Sequence, residues 1–325
     1  MVTAHRSRTL VVVLSLAWCN CLLPSSLAAG EKRSADIHRD NGALRVSIDG
    51  KPFFTYCHDT GNPELPRPVI HPLHGPTGEV ITQMGEVPGK KEKHFHHTAL
   101  WLAHQNFTQG NNWQMDADPA KKPTRYSRIL HQQFVKVGGG SPAQIVENLW
   151  WDSSDGKTIL VEETRTLTIP YRPAGRRVID FTLALRARDK AVTLNATPYH
   201  LLAVRAVDSM VPAFGKGAVI TNSEGQTNPK DGAPAKWIDV TGLADGKTIG
   251  ITLMNHPANL RHPTPCLNFG NQTIGLSPTH KESYTLVPDK PLHLRFRVLV
   301  HAGTVAEADV AQEYAAYAEP ARSAP

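Results

Sequence analysis

The chain has 325 residues, 40% of them hydrophobic and 20% charged, which is too apolar for a disordered polymer, and its 24 Gly and 25 Pro indicate a turn-rich body. Thirty-five Lys and Arg stand against 29 Asp and Glu, and this mild excess of +6 is spread over the length without a basic block, so no nucleic-acid partner is expected. The unusual count is the 16 histidines.

Residues 1–28 read as a signal peptide. His5, Arg6 and Arg8 make a basic start, an apolar run extends from Leu10 to Trp18, and Ser26, Leu27 and Ala28 form the small-x-small pattern of a cleavage site. The apolar run is about half of the ~20 residues a membrane helix needs, and no later segment reaches that length. A secreted or periplasmic protein is therefore expected, with no integral membrane segment after cleavage. Removal of the signal takes Cys19 and Cys21 and leaves Cys57 and Cys266. That pair suits either one disulfide, closing a loop of roughly two hundred residues, or two free buried thiols. With no repeat or linker, residues 29–325 are expected to form a single domain.

Within that domain the period is mostly that of strands. Leu44, Val46 and Ile48 alternate with polar residues up to the hairpin signal Asp49-Gly50, and Phe53 to Cys57 is the return strand. Ile159, Val161, Leu167 and Ile169 share a period-two face, as do Ile179, Phe181, Leu183 and Leu185. The alternation is clearest at Leu292, Leu294, Phe296, Val298 and Val300. Only the C-terminus reads as helix: Thr304 and Glu307 form a capping box, Val310, Tyr314 and Tyr317 make one stripe, and Pro320 stops it. The expected fold is all-β, a large supersandwich-like β-sandwich with a short C-terminal helix.

Candidate chemistry lies where polar residues occupy patterned positions. Seven histidines fall between His58 and His104: those two, His71, His74, His94, His96 and His97. Were His94 to His104 a regular strand, His94, His96 and His104 would share one face and His97 the other with Trp101. Imidazoles at i and i+2 can reach one ion, so His94, His96 and His104 are the candidate ligands for zinc or copper, against the alternative of hydrogen-bonding histidines in a polar groove.

Glu163 and Arg165 fall on the apolar face of their strand, as a structural ion pair or as part of a ligand cleft. Two polar loops leave strand ends, at Asn222 to Gly225 and at Asn255 to Asn259. Trp101, Trp113, Trp150, Trp151 and Trp237 are flat apolar surfaces for sugar rings or ordinary core residues. A Gly-rich phosphate loop, a GxSxG elbow and a dinucleotide fingerprint are all absent from the sequence, which leaves kinase, serine hydrolase and Rossmann readings without support.

The segments Arg67-Pro68-Val69-Ile70-His71-Pro72 and His96-His97-Thr98-Ala99-Leu100-Trp101-Leu102-Ala103-His104, with Trp113 beyond, resemble the signatures of a secreted bacterial family common in planctomycetes and known as methane oxygenase PmoA-like. Trp151, Glu163, Arg165, Arg205, Asn222 to Gly225, Trp237, Asn255 to Asn259 and Arg261 to Pro265 follow in the same order. The resemblance runs from about Leu44 to Gly303 and implies one exported all-β domain. The family usually has Arg-Gly where Thr98-Ala99 stands here, and an aromatic residue in place of Cys266. Without a membrane span, methane oxidation of the membrane type is not expected.

The leading expectation is a secreted carbohydrate-active protein, a hydrolase or lyase acting on a glycan or small sugar-like ligand. Its catalytic candidates are His71, His97, His104 and His256 for proton transfer, with Glu163 and Glu224 as paired carboxylates. Its substrate-binding candidates are Arg67, Trp101, Arg165, Arg205 and Asn259. The alternatives are a non-catalytic module that grips a glycan or a partner, and a soluble zinc or copper protein.

Overall fold

The computed structural model describes residues 1–2, 34–60, 65–85, 94–115, 126–172 and 175–319. The expected signal peptide, apart from its first two residues, and Pro320 lie outside the described residues. The chain divides into two compact units, Met1–Lys32 and Arg33–Pro325, and every element below belongs to the second.

Two large antiparallel sheets face each other as a sandwich. The first runs, edge to edge, β1 (Ala35–Asp40), β2 (Ala43–Ile48), β3 (Lys51–Cys57), β4 (Val69–Leu73), β5 (Leu100–Leu102), β11 (Leu202–Val204), β17 (Ile274–Leu276), β16 (Thr264–Leu267) and β13 (Ala233–Ala235). The second runs β12 (Val219–Asn222), β14 (Trp237–Ala244), β15 (Lys247–Asn255), β19 (Leu292–Ala302), β9 (Arg176–Ala187), β8 (Ile159–Ile169), β7 (Ala143–Asp152) and β6 (Ile129–Gly138). A separate ribbon pairs β10 (Val192–Leu194) with β18 (Tyr284–Leu286).

The inward faces are the ones the alternation predicts. Leu44, Val46, Leu183, Leu185, Leu294, Phe296 and Val298 all belong to the one large core between the sheets. Burying these side chains supplies on the order of 2 kcal/mol each, the main force that holds the layers together. The β2–β3 hairpin turns at Asp49 and Gly50, whose φ values of 51° and 71° are the left-handed pair an Asp-Gly type I′ turn uses.

The outer face of the eight-stranded sheet carries a second apolar patch of Val178, Trp237, Met254 and Leu299, and α2 (Val310–Ala318) lies on it through Val310 and Tyr314. The expected capping box does form: Thr304 N–H donates to Glu307 Oε2 at 2.8 Å and Glu307 N–H to Thr304 Oγ1 at 3.3 Å. It closes the turn that precedes the helix, whereas α2 itself is capped by Asp309, whose side chain accepts from Gln312 N–H. A second short helix, α1 (Phe269–Gln272), was not signalled by the sequence.

Two expectations about local structure need correction. The segment from His94 to Ala99 is not strand; it turns, with His97 N–H donating to His94 O at 2.9 Å, and β5 begins only at Leu100. Cys57 and Cys266 are both free, so the disulfide alternative falls away. Cys266 is buried on β16, and burial pushes its thiol up to about 12. Among the described residues no helix is long and apolar enough to cross a membrane.

Candidate functional site

An inward face of apolar residues leaves the outward face of the same strands for other uses. On the nine-stranded sheet, Val69, Trp101 and Ala203 face outward in register across β4, β5 and β11. With Ala103 and Trp113 they form a third apolar patch, on the side of the sheet away from the core. Histidines crowd onto it. The rings of His94 and His97 stack at 4.7 Å, His96 meets His97 edge-on at 4.5 Å, and His97 stacks on Trp101 at 5.8 Å. Trp101 and Trp113 rings lie 5.3 Å apart, and Trp113 stacks on His200 at 5.5 Å. Tyr199, half-buried, lies 5.4 Å from Trp113 and stacks on the partly exposed Phe269 at 5.5 Å.

The turn that carries the histidines is pinned from below by Arg67, which is 0% exposed. Its Nη1 donates to Asn112 O at 2.8 Å and to Trp113 O at 2.9 Å, and its Nη2 to His96 O at 2.6 Å and to Thr98 Oγ1 at 3.1 Å. This residue, expected to bind substrate, is thus spent on holding two loops together beneath the site. Gly85 N–H donates to His97 O at 2.9 Å and holds the turn from the other side.

Arg205 approaches His97 Nδ1 with Nη1 at 3.4 Å. Its backbone N–H bonds Ala99 O and its carbonyl accepts from Gln83 N–H at 3.2 Å, so the segment carrying Thr82 and Gln83 runs between His71 on β4 and Arg205 beyond the end of β11. Across two strand spacings they are about 10 Å apart. Ala99 holds φ 58°, a left-handed conformation that glycine would take without steric cost. His71 is half-buried with Nδ1 3.3 Å from Thr82 Oγ1. Burial first, and His74 second, lower its pKa, so the ring is neutral at pH 7. Burial, with His96, His94 and Arg205 adding to it, also lowers that of His97 strongly.

His104 does not belong with the other metal candidates. Its Nδ1 accepts Asn106 N–H at 3.2 Å, which puts the ring proton on Nε2, 3.0 Å from Thr279 Oγ1. Both nitrogens are committed inside the fold, and burial pushes the ring down to about 4. The trio whose ligand atoms all lie within 4.8 Å of one another is His94, His96 and His97. The turn, by bending the chain, brings to one place two rings that a strand would have put on opposite faces.

The remaining candidates sit elsewhere. Glu163 and Arg165 point into the core as a 2.7 Å ion pair, each 2% exposed, with Trp151 Nε1–H donating to Glu163 at 2.8 Å. Of the two readings open from the sequence, the structural ion pair is the one found. Glu224 is exposed in the loop after β12, five strands from β8 and so about 24 Å away across the sheet. The two carboxylates therefore do not flank one cleft. His256 accepts Ala258 N–H and packs on Tyr317, under α2 on the other sheet. Asn259 clasps the same loop through Asn255 Oδ1 and Arg295 O. Of the other tryptophans, Trp150 carries the Arg188 guanidinium over its ring at 4.8 Å, while Trp151 and Trp237 are buried.

Three groups escaped the sequence reading. His200 gave no periodic signal because it precedes β11; it lies flat where Gly275 has no side chain, since a Cβ there would meet its ring at 2.2 Å. Tyr56 and Glu147 complete the core network: Arg165 Nη1 donates to Tyr56 OH at 3.2 Å, Tyr56 OH donates to Glu147 Oε1, and Glu147 Oε2 lies 2.8 Å from His131 Nδ1. Glu147 was detectable, because it shares its face with Ile145, Leu149 and Trp151 as Glu163 does with its neighbours.

Burial pushes the Glu147 carboxyl up to about 8, and burial pushes His131 down to about 4, so the neutral acid donates to the neutral ring. Between its unfolded value of about 4.3 and its folded one, the native state holds a proton that the unfolded chain has lost, and stability falls as pH rises. His131 and the other buried histidines, held below their unfolded value, slope the opposite way below about pH 6.5. The decline is therefore read as a difference: in denaturant melts from pH 5 to 8 the stability of the wild type relative to Glu147→Gln, whose amide keeps both hydrogen bonds, is expected to fall. An unchanged slope in the variant would locate the titration elsewhere.

The sequence profile of one family, described as of unknown function and designated DUF6807, matches residues 43–315. The chain belongs to this family. No curated protein matches it. Among solved structures it is similar to a candidate mutarotase of Salmonella typhimurium, at 9% identity over 83% of this chain and 94% of that one, with a TM-score of 0.34. It is also similar to a 4-alpha-glucanotransferase of Thermococcus litoralis, at 8% identity, 84% coverage and a TM-score of 0.27, and to a polysaccharide lyase, at 12%, 89% and 0.29. Of these last two chains it spans only 38% and 35%.

Proposed function

We propose that this member of DUF6807 is an exported carbohydrate-active enzyme working on the outer face of the nine-stranded sheet, and that its chemistry is of the lyase type on an acidic sugar. What carries the reading is Arg205, whose guanidinium lies against His97 in the histidine and tryptophan cluster, with His71 two strand spacings away along the sheet. A neutral imidazole can take the proton next to a sugar carboxylate as the glycosidic C–O bond breaks to leave an unsaturated sugar, and the Arg205 guanidinium can hold that carboxylate. Tyr199 stacked on Phe269 offers the apolar surface against which a sugar ring rests. Two-carboxylate hydrolysis is disfavoured by the separation of Glu163 from Glu224.

The test uses the full chain and a panel of uronate-containing and neutral glycans, read by the ultraviolet absorbance of an unsaturated product. Turnover is expected only on the acidic glycans, with kcat/KM reduced by about 100-fold or more in His71→Ala. Arg205→Gln is expected to raise KM as well as lower kcat. Hydrolysis of neutral glycans without an unsaturated product would overturn the lyase assignment, and binding without turnover would make the protein a glycan-binding module.

A further inference from the structure

The strongest unassigned feature is the trio on the turn. A His-x-His-His segment on a strand could not direct three imidazoles at one point, yet here their ligand atoms all lie within 4.8 Å. We propose that His94, His96 and His97 hold one divalent transition-metal ion, zinc or copper, through three imidazole nitrogens with a fourth position open. Three nitrogen donors are the ligand set these ions prefer, whereas magnesium and calcium take oxygen. With metal–nitrogen bonds of about 2.0 to 2.1 Å, a tetrahedral site needs its donors about 3.4 Å apart, so the rings, stacked here, must turn toward a common point to close on the ion.

The backbone is built for this. The turn is closed by His97 N–H on His94 O, fastened by Arg67 through His96 O, and tied to Gly85 through His97 O. The walls are the rings of Trp101 and Trp113, whose indole N–H groups are buried without an acceptor.

Arg205 fixes the chemistry of that fourth position. A guanidinium only donates, so its 3.4 Å approach makes His97 Nδ1 an acceptor in the metal-free protein. When the ion takes Nε2, the ring proton moves to Nδ1 and the contact opens. A guanidinium beside a dication favours an anion in the open position, and a sugar carboxylate would fill it. This last role rests on the lyase reading; the binding of the ion does not.

The experiment is metal binding by the untagged full chain, stripped with chelator and titrated with Zn(II), Cu(II) and Mg(II) in the absence of any glycan. One equivalent of zinc or copper is expected, with nitrogen splitting from three imidazoles in the Cu(II) resonance spectrum and no uptake of magnesium. His94→Ala and His96→Ala, both at half-buried positions, should each weaken binding about 100-fold or more and remove one nitrogen from the spectrum. His38→Ala, an exposed histidine on β1, should bind as the wild type does. Melting curves confirm that each variant is folded, and His96→Gln replaces His96→Ala if the latter is not. Absence of stoichiometric metal, or binding unchanged in folded His94 and His96 variants, would overturn the site. Metal bound in a protein that cleaves no acidic glycan leaves the site standing and sinks the lyase reading; cleavage by a protein that binds no metal does the reverse.

Discussion

Arg165→Leu is expected to cost about 3 to 5 kcal/mol of folding stability, measured as a shift of the denaturation midpoint at neutral pH. The guanidinium is the cation that neutralises Glu163 at 2.7 Å in a place where neither reaches water. Removing it leaves a carboxylate in the core with only the Trp151 indole as donor, and withdraws the Arg165 bond from Tyr56. The double variant Glu163→Leu with Arg165→Met should recover most of the loss, for two reasons. Desolvation makes a buried pair worth little compared with apolar replacements, and one guanidinium nitrogen, Nη2, already lacks an acceptor in the native fold. What the double variant cannot restore are the Trp151 bond and the bond from Arg165 to Tyr56, a residual deficit of about 1 to 3 kcal/mol. A double variant as unstable as the single one would show that the pair itself, and not the uncompensated charge, sustains the core.

Arg67→Met should have a comparable effect on stability and a larger one on the site. Its four bonds go to three backbone carbonyls and one hydroxyl drawn from two separate loops. Bonds from a charged donor contribute about 1.5 to 3 kcal/mol each, and the carbonyls left behind are buried. Burial pulls the guanidinium down to about 9, still high enough to keep it charged at neutral pH. The expected results are a loss of at least 3 kcal/mol and faster amide exchange at His97 and Trp113. Arg67→Lys retains the charge but cannot fork to both loops, so it should rescue only part of either. Normal exchange at the histidine turn in Arg67→Met would show that the turn holds itself.

The sheets were legible because burial writes itself into strands with period two. Asp49-Gly50 gave the hairpin, and the runs ending at Ile169, Leu185 and Val300 gave strands whose inward faces are as read. The same rule correctly aimed Glu163 and Arg165 inward, since no register shift falls between them. It failed at His94 to Ala99 because histidines spaced by two look alike on a strand and on a turn; only tertiary pins, Arg67 and Gly85, decide between them. His200 and Phe269 were illegible for a related reason: their places depend on contacts between β11, β17 and α1 that are far apart in the chain.

The strand order also shows how such large sheets avoid growing by addition of a strand from another molecule. Each sheet ends in strands poorly suited to pair again. β6 carries two register shifts, between His131 and Gln133 and between Phe134 and Lys136, which break the regular ladder a newcomer would need. β12 is four residues long, and β13 is three with Pro234, which has no N–H to offer, at its centre. β1 presents Asp36, His38, Arg39 and Asp40 to solvent and is tied back through Ala35 to Gly140 beside β7. All four borders are thereby closed to intermolecular pairing, so this chain should resist fibrillar aggregation.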